Sequence, residues 1–242
     1  MLRLAALLPV LVAAPAMAQS LEQPDHWSGE GAFNASYTTG NTTDTDVGVD
    51  LKAKHTGGLW MQSIEFSGDY GDENGVRNER DLTATAHVER ILSKRWSVYL
   101  RGWWENNEFS GFGDRYFIGP GLNYKVFDEP KLKWSLEGGV GYKVDEVEAT
   151  ETAPARRVEE PGIRVASKFR YDFNPQVALT NDTVMLYSNE YSLWINTVAI
   201  TASLMGRFSA RASYEVHYDV NALAGFEDLE TTSKISLVYK VP

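Results

Sequence analysis

The chain reads as an all-β protein, a transmembrane antiparallel up-and-down β-barrel of about twelve strands. Three observations predict this. The first is a period of two that recurs from residue 27 to residue 241, with apolar residues on one phase. It is clearest over 96–142, where Trp96, Val98, Leu100, Gly102 and Trp104 alternate with Ser97, Tyr99, Arg101, Trp103 and Glu105. The second is strand length: these runs hold roughly 11 to 13 residues, against the usual 5 to 6 of soluble sheets. The third is that nothing beyond residue 18 offers the roughly 18 consecutive apolar residues of a membrane helix. The spanning structure left is a closed barrel, in which neighbouring strands satisfy every backbone group.

The first 18 residues read as a signal peptide. Arg3 supplies the positive region, 4–14 the apolar run, and Ala16-Met17-Ala18 a small-x-small cleavage site. The apolar run is too short to span a bilayer. The expected organisation is therefore a leader, 1–18, and one outer-membrane barrel domain, 19–242. The absence of cysteine excludes a disulfide framework, a lipid-bearing cysteine and thiolate chemistry. A formal charge of −10 and the lack of a basic stripe argue against a nucleic-acid partner. Seven Trp, twelve Tyr and ten Phe supply the rings that interfacial girdles demand. A mean hydropathy of −0.32 fits a barrel, whose strands give half their residues to the lumen.

In chain order, 19–26 is a polar leader. Trp27 to Tyr37 alternates as strand one, and 39–46 is an exposed turn. Val47, Val49, Leu51 and Ala53 mark strand two, closed by Thr56-Gly57-Gly58. Strand three spans 59–70, and 71–79 reads as a long polar loop. Leu82, Ala84, Ala86 and Val88 mark strand four, followed by the turn Ser93-Lys94-Arg95. Strands five to seven occupy 96–142, with Tyr116, Ile118, Pro120, Leu122, Tyr124 and Val126 on the apolar phase of strand six. Asp128-Glu129-Pro130 turns into strand seven, where Leu132, Trp134, Leu136, Gly138, Val140 and Tyr142 share a phase. The acidic stretch 145–161 is expected to be the longest connection. Ile163, Val165, Phe169 and Tyr171 mark strand eight. Strand nine, 176–187, is blurred, because Val177, Leu179 and Met185 share their phase with Asn181. Strand ten carries Trp194, Val198 and Ile200. Strand eleven carries Phe208, Ala210, Ala212, Tyr214, Val216 and Tyr218, and strand twelve Ile235, Leu237, Tyr239 and Val241.

An even strand count puts both termini at one end of the barrel. Short turns follow the even strands and most longer loops follow the odd ones, so the short turns are expected in the periplasm and the loops outside. The expected girdle comprises Trp27, Tyr37, Trp60, Tyr70, Trp96, Trp104, Tyr116, Tyr124, Trp134, Tyr142, Tyr171, Trp194, Tyr218 and Tyr239.

The segments TGNTTDTDVGVDLK, GDENGVRNERDLTATAHVERILSKRWSVYLRGWWENNEFSGFGDRYFIGPGLNYKVFD and LKWSLEGGVGY resemble the salt-induced outer-membrane protein family, domain of unknown function 481. The likeness covers nearly all of the chain after the leader and is weakest over 174–206. It implies an outer-membrane barrel and no particular activity. One departure is the end, Tyr239-Lys240-Val241-Pro242, where such barrels usually close on an aromatic residue read by the assembly machinery.

Candidate chemistry is sparse. By register His87 lies beside Thr83, Thr85 and Glu89, and His217 beside Ser213, Glu215 and Asp219, both in the lumen. A nucleophile, base and orienter are compositionally available there, but any polar lumen carries many hydroxyls. No metal or phosphate motif occurs. The acidic loop residues Asp72-Glu73, 145–151, Glu159-Glu160 and 227–230 fit no defined Ca²⁺ loop and read first as solvated tips. Arg156-Arg157 could meet lipopolysaccharide phosphates or neutralise their acidic neighbours.

The most informative pattern is the inward charge. Glu30, Asp46, Asp50, Glu65, Asp69, Asp81 and Glu89 form an acidic arc on strands one to four, with Lys52 and Lys54 opposing it. Arg101, Arg115, Lys125, Lys133, Lys143, Arg164, Lys168 and Arg170 form a basic arc on strands five to eight, with Glu105, Glu137 and Asp172. If the lumen is filled, the arcs interlock as ion pairs; if it is wet, they set a transverse field that selects solutes. Twelve strands lie between the filled eight and the open sixteen.

The expected role is a narrow, charge-segregated pore or an envelope-maintenance barrel, monomeric and without cofactor. Its expected partners are outer-membrane lipid, lipopolysaccharide and, during biogenesis, the barrel-assembly machinery. The alternatives are a lipid hydrolase, and a structural or adhesion barrel binding ions or partners through acidic loops.

Overall fold

The computed structural model describes residues 21–39, 44–73, 76–149 and 154–241. Twelve strands follow one another: β1 (Gln23–Thr39), β2 (Asp44–Gly58), β3 (Trp60–Glu73), β4 (Val76–Ile91), β5 (Trp96–Asn107), β6 (Phe112–Asp128), β7 (Leu132–Val147), β8 (Arg156–Asn174), β9 (Val177–Tyr187), β10 (Ser192–Ser203), β11 (Phe208–Val220) and β12 (Leu229–Val241). Each pairs antiparallel with its chain neighbours, and β1 pairs with β12 from Gly29↔Val241 to Thr39↔Thr231. Closure leaves no sheet edge whose backbone groups would need water. The expected signal peptide, 1–18, and Pro242 lie outside the described residues, whereas β1 takes up 23–26 of the stretch read as a polar leader.

The apolar phase faces out. Phe33, Ile64 and Ile235 are 66%, 65% and 66% exposed, and every other strand adds a similar row. A continuous apolar wall of this kind is a lipid-facing surface. All fourteen predicted girdle rings lie on the outward phase, from 63% exposure at Trp27 to partial cover for Trp104, Tyr124, Trp134, Trp194 and Tyr218. Cross-strand ring pairs support the short-turn rim: Trp96 with Tyr124 at 4.6 Å and Phe208 with Tyr239 at 5.1 Å.

The strands outrun the sequence expectation at the long-loop end. The segment expected as a polar loop, 71–79, is mostly ladder, with Asp72 opposite Arg77 and Glu73 opposite Val76. The expected connection 145–161 is also mostly strand, since Val147 pairs with Arg156 and Asp145 with Val158. Both stretches are rich in charge, which hides strand from a hydropathy reading. Above a membrane belt no face has to be apolar, so backbone pairing continues without the alternation that marks it lower down. A second difference is a bulge between Lys125 and Phe127. The extra residue puts Phe127, rather than Val126, on the outer row, where it stacks on Trp134 at 6.2 Å. Strand nine is regular. Its blur arises because Asn181 and Thr183 sit on the outer wall, where Asn181 donates to Asn196 and Asn196 to Thr183.

Candidate functional site

The inward phase divides the lumen into two unlike halves. The short-turn half is open, with polar cavities roomy enough to hold water. A cavity of about 590 Å³ opens at its mouth, lined by Lys54, Thr56, Lys125, Lys133, Ser135, Lys168 and Asp182 among others. A second of about 480 Å³ lies deeper, between Glu30, Lys52, Glu65, Thr83, Arg211, Glu215 and Lys234. Arg170, Thr180 and Asp182 line both, so the two adjoin.

The long-loop half is packed. Its first layer is apolar: Phe117 on β6, Leu186 on β9 and Leu193 on β10 are buried, with Trp103 and Ile195 against them. Trp103 and Phe117 are register partners. The side chains from β5–β6 meet those from β9–β10, so this layer bridges the lumen. Small residues on β6 and β7 make room for the rings. A Cβ at Gly141 would stand 2.6 Å from the Phe117 ring, and one at Gly139 2.9 Å from the Tyr99 hydroxyl. The glycine-rich stretch of β7 is therefore a floor for inward aromatics.

Above it Arg115, 1% exposed, is held by three carboxylates. Its Nε donates to Asp145 at 3.1 Å and its NH1 to Asp219 at 2.8 Å, while Glu105 lies 3.7 Å away. Lys143 bonds the other oxygen of Asp145, and His217 lies 3.4 Å from Asp219. Charges so deeply buried persist only when paired and hydrogen-bonded. The outermost layer is apolar again, with Phe112, Val147, Val158 and Tyr191 packed together and Leu223 against them. Gly111, at φ 78°, lets the β5–β6 loop approach Leu223 and Phe226, which a Cβ there would strike. Glu160 accepts the backbone N–H groups of Asn189 at 2.9 Å and Glu190 at 3.2 Å, tying the β9–β10 loop to the wall. Three loops thus make a lid.

The predicted arcs all point inward, but their charges are not neutralised against each other. Glu30 pairs with Arg211 and Asp69 with Lys234, cations of β11 and β12 outside both arcs. Glu65 pairs with Lys52 at 2.6 Å. Asp50 accepts from Asn34 and Ser67, and Glu89 from Ser97 and Asn123. Asp46 is buried on β2, and Asp81 stands opposite Asp69 in the register. On the basic side, Glu137 takes both Arg164 and Lys168 at 2.7 Å. Lys125 pairs with Asp128 and Arg170 with Asp172, while Arg101 reaches Thr85. Lys133 and Lys54 have no ion pair among the described residues. The expectation that a filled lumen interlocks arc with arc is corrected accordingly: Lys52 with Glu65, and Arg164 and Lys168 with Glu137, pair between neighbouring strands, whereas Glu30, Asp69 and Arg115 find partners on β11 and β12, outside both arcs.

Among the described residues the two lumenal histidines face carboxylates, His217 toward Asp219 and His87 toward Glu89. His87 lies 3.2 Å from Glu89 and stacks on Tyr99 at 5.1 Å. Ser97, the hydroxyl beside it, donates to Glu89 and not to the ring. Arg156 is engaged by Glu190 and Tyr191, and Arg157 by Glu146 and Glu159. Among the described residues no three His, Asp or Glu side chains gather to hold a metal. The Asp72 and Glu73 side chains lie outside the description. What the sequence reading missed is the apolar bridge. Phe117 and Trp103 stand on the inward phase, between Arg115 and Gly119 and between Arg101 and Glu105, and that phase error was the available signal.

Solved structures share this architecture. The NanC porin matches with a TM-score of 0.59 at 14% identity, covering 87% of this chain and 100% of that one. An outer-membrane channel from Pseudomonas putida F1 gives 0.57 at 12%, covering 92% and 98%. The translocator domain of the autotransporter NalP from Neisseria meningitidis gives 0.51 at 9%, covering 93% and 91%. At such identities the likeness is one of fold. No curated protein matches the chain. The family model for the protein of unknown function DUF481 matches residues 32–241, and the chain belongs to that family.

Proposed function

We propose that this is an outer-membrane channel of low conductance for small polar solutes, closed at its outer end in the state described. The observation that carries the reading is the contrast along the lumen. Adjoining polar cavities of about 590 and 480 Å³ lead inward from the short-turn mouth and stop at the layer of Trp103, Phe117, Leu186, Leu193 and Ile195. A purely structural barrel gains nothing from keeping a charged half hydrated, whereas an apolar constriction closes a wet path by excluding water. In this reading the leader is cleaved on export, the short turns face the periplasm, and the lid faces outward. The barrel acts as a monomer among outer-membrane lipid and lipopolysaccharide.

Planar-bilayer recording of the refolded chain tests the reading. The wild type should show small, infrequent openings. The double variant Trp103→Ala, Phe117→Ala should raise the open time or unit conductance severalfold, because it removes both rings of one side of the bridge. Unchanged silence in a variant that still shows the heat-modifiable gel shift of a folded barrel would reject the channel.

A further inference from the structure

The mouth of the short-turn half is lined by more cations than carboxylates. Five cations and three carboxylates line the cavity of about 590 Å³. Most of the carboxylates nearby are already paired, Asp128 with Lys125, Asp172 with Arg170, and Glu137 with Lys168 and Arg164, while Glu89 accepts from Ser97 and Asn123 and attracts Lys54 through space. Asp182, opposite Lys168 in the register, is the remaining acid on this wall. Lys54 and Lys133 are left without an ion pair among the described residues.

Lys133 on β7 is the direct register partner of Arg170 on β8 and of Asp128 on β6, whose carboxylate bonds Lys125. Like charges directly opposite each other on a ladder destabilise it. Lys54 comes from β2, a strand on a different part of the wall, yet lines the same space. Two uncommitted ammonium groups from different walls, facing one hydrated cavity, are the arrangement that a ligand with two negative charges would satisfy. Charge-assisted hydrogen bonds to an oxyanion are about twice as strong as neutral ones. Hydroxyls of Thr56 and Ser135 beside them add neutral donors.

We propose that this mouth is a binding site for multivalent oxyanions, held between the ammonium groups of Lys54 and Lys133. The site deepens the channel reading by naming the solute class, and rests on that reading for its role in passage; binding itself requires only the open mouth. Carboxylate and phosphate sources share the necessary chemistry.

Titration calorimetry of the full refolded barrel in micelles at low ionic strength provides the test, with pyrophosphate and succinate as separate probes. Saturable binding of at least one is expected, tighter for pyrophosphate if the natural ligand is a phosphate and for succinate if it is a dicarboxylate. The double variant Lys54→Gln, Lys133→Gln should weaken it tenfold or more. Lys54→Arg with Lys133→Arg should retain it. Lys94→Gln with Lys131→Gln, turn lysines that do not line the cavity, should leave it unchanged. Absence of saturable binding by either probe, or equal affinity in the Lys54→Gln, Lys133→Gln variant, overturns the site. A conducting barrel that fails to bind rejects the site alone. A barrel that binds but never conducts keeps the site and rejects the channel.

Discussion

The two halves of the lumen are built on the same strands and solve opposite problems. In the long-loop half Arg115, Lys143 and Asp145 are 1%, 0% and 0% exposed and locked together between two apolar layers. In the short-turn half Lys52 and Glu65 pair while 49% and 40% exposed. Chemically similar ion pairs therefore do different work. A buried network cannot be broken without stranding a charge, so it fixes one arrangement. An exposed pair can exchange its partner for water, so it does not fix one arrangement. The difference teaches that charge along a barrel strand does not by itself mean pore; what sits above and below the charge decides.

The comparison can be broken most forcefully at Arg115. Arg115→Met leaves Glu105, Asp145 and Asp219 without their common cation and should cost about 3–5 kcal/mol, read as a lower midpoint in urea unfolding from micelles. A loss below about 1 kcal/mol would mean that the packed half behaves like the wet one. Next in size is Gly141→Ala. The added Cβ meets the Ile118 backbone carbonyl oxygen and, at 2.6 Å, the Phe117 ring, and overpacking of this kind costs about 1–3 kcal/mol. The same unfolding measurement checks it, with Gly138→Ala as a control whose Cβ meets nothing within 4 Å. The smallest effect belongs to Lys52→Gln, which breaks an exposed pair and should change stability by about 0.2–1 kcal/mol, less still in high salt. A larger, salt-insensitive loss would show that the wet half is not hydrated as described.

Much of the barrel was legible. The outward rows from Trp27 to Val241 follow directly from alternation, because lipid contact forces one phase to be apolar over the belt. The long-loop ends of β3, β4, β7 and β8 were not, since charged residues such as Asp72, Arg77, Asp145 and Arg157 pair as strand where no lipid imposes a pattern. The site was half legible. Register placed both arcs inside, but their partners were out of reach: Lys234 lies 165 positions from Asp69, and Asp219 lies 104 from Arg115. Phe117 looked like an interruption of a polar phase and is the centre of a bridge.

By itself the sequence determined the fold class, the strand count, the lipid-facing wall and the inward charges, because each follows from a local period of two under one solvent constraint. Tertiary structure alone decided which charges meet and which half of the lumen is packed. Those outcomes depend on closing β1 onto β12. Closure brings residues far apart in the chain to one height in the barrel, and no local pattern records that height.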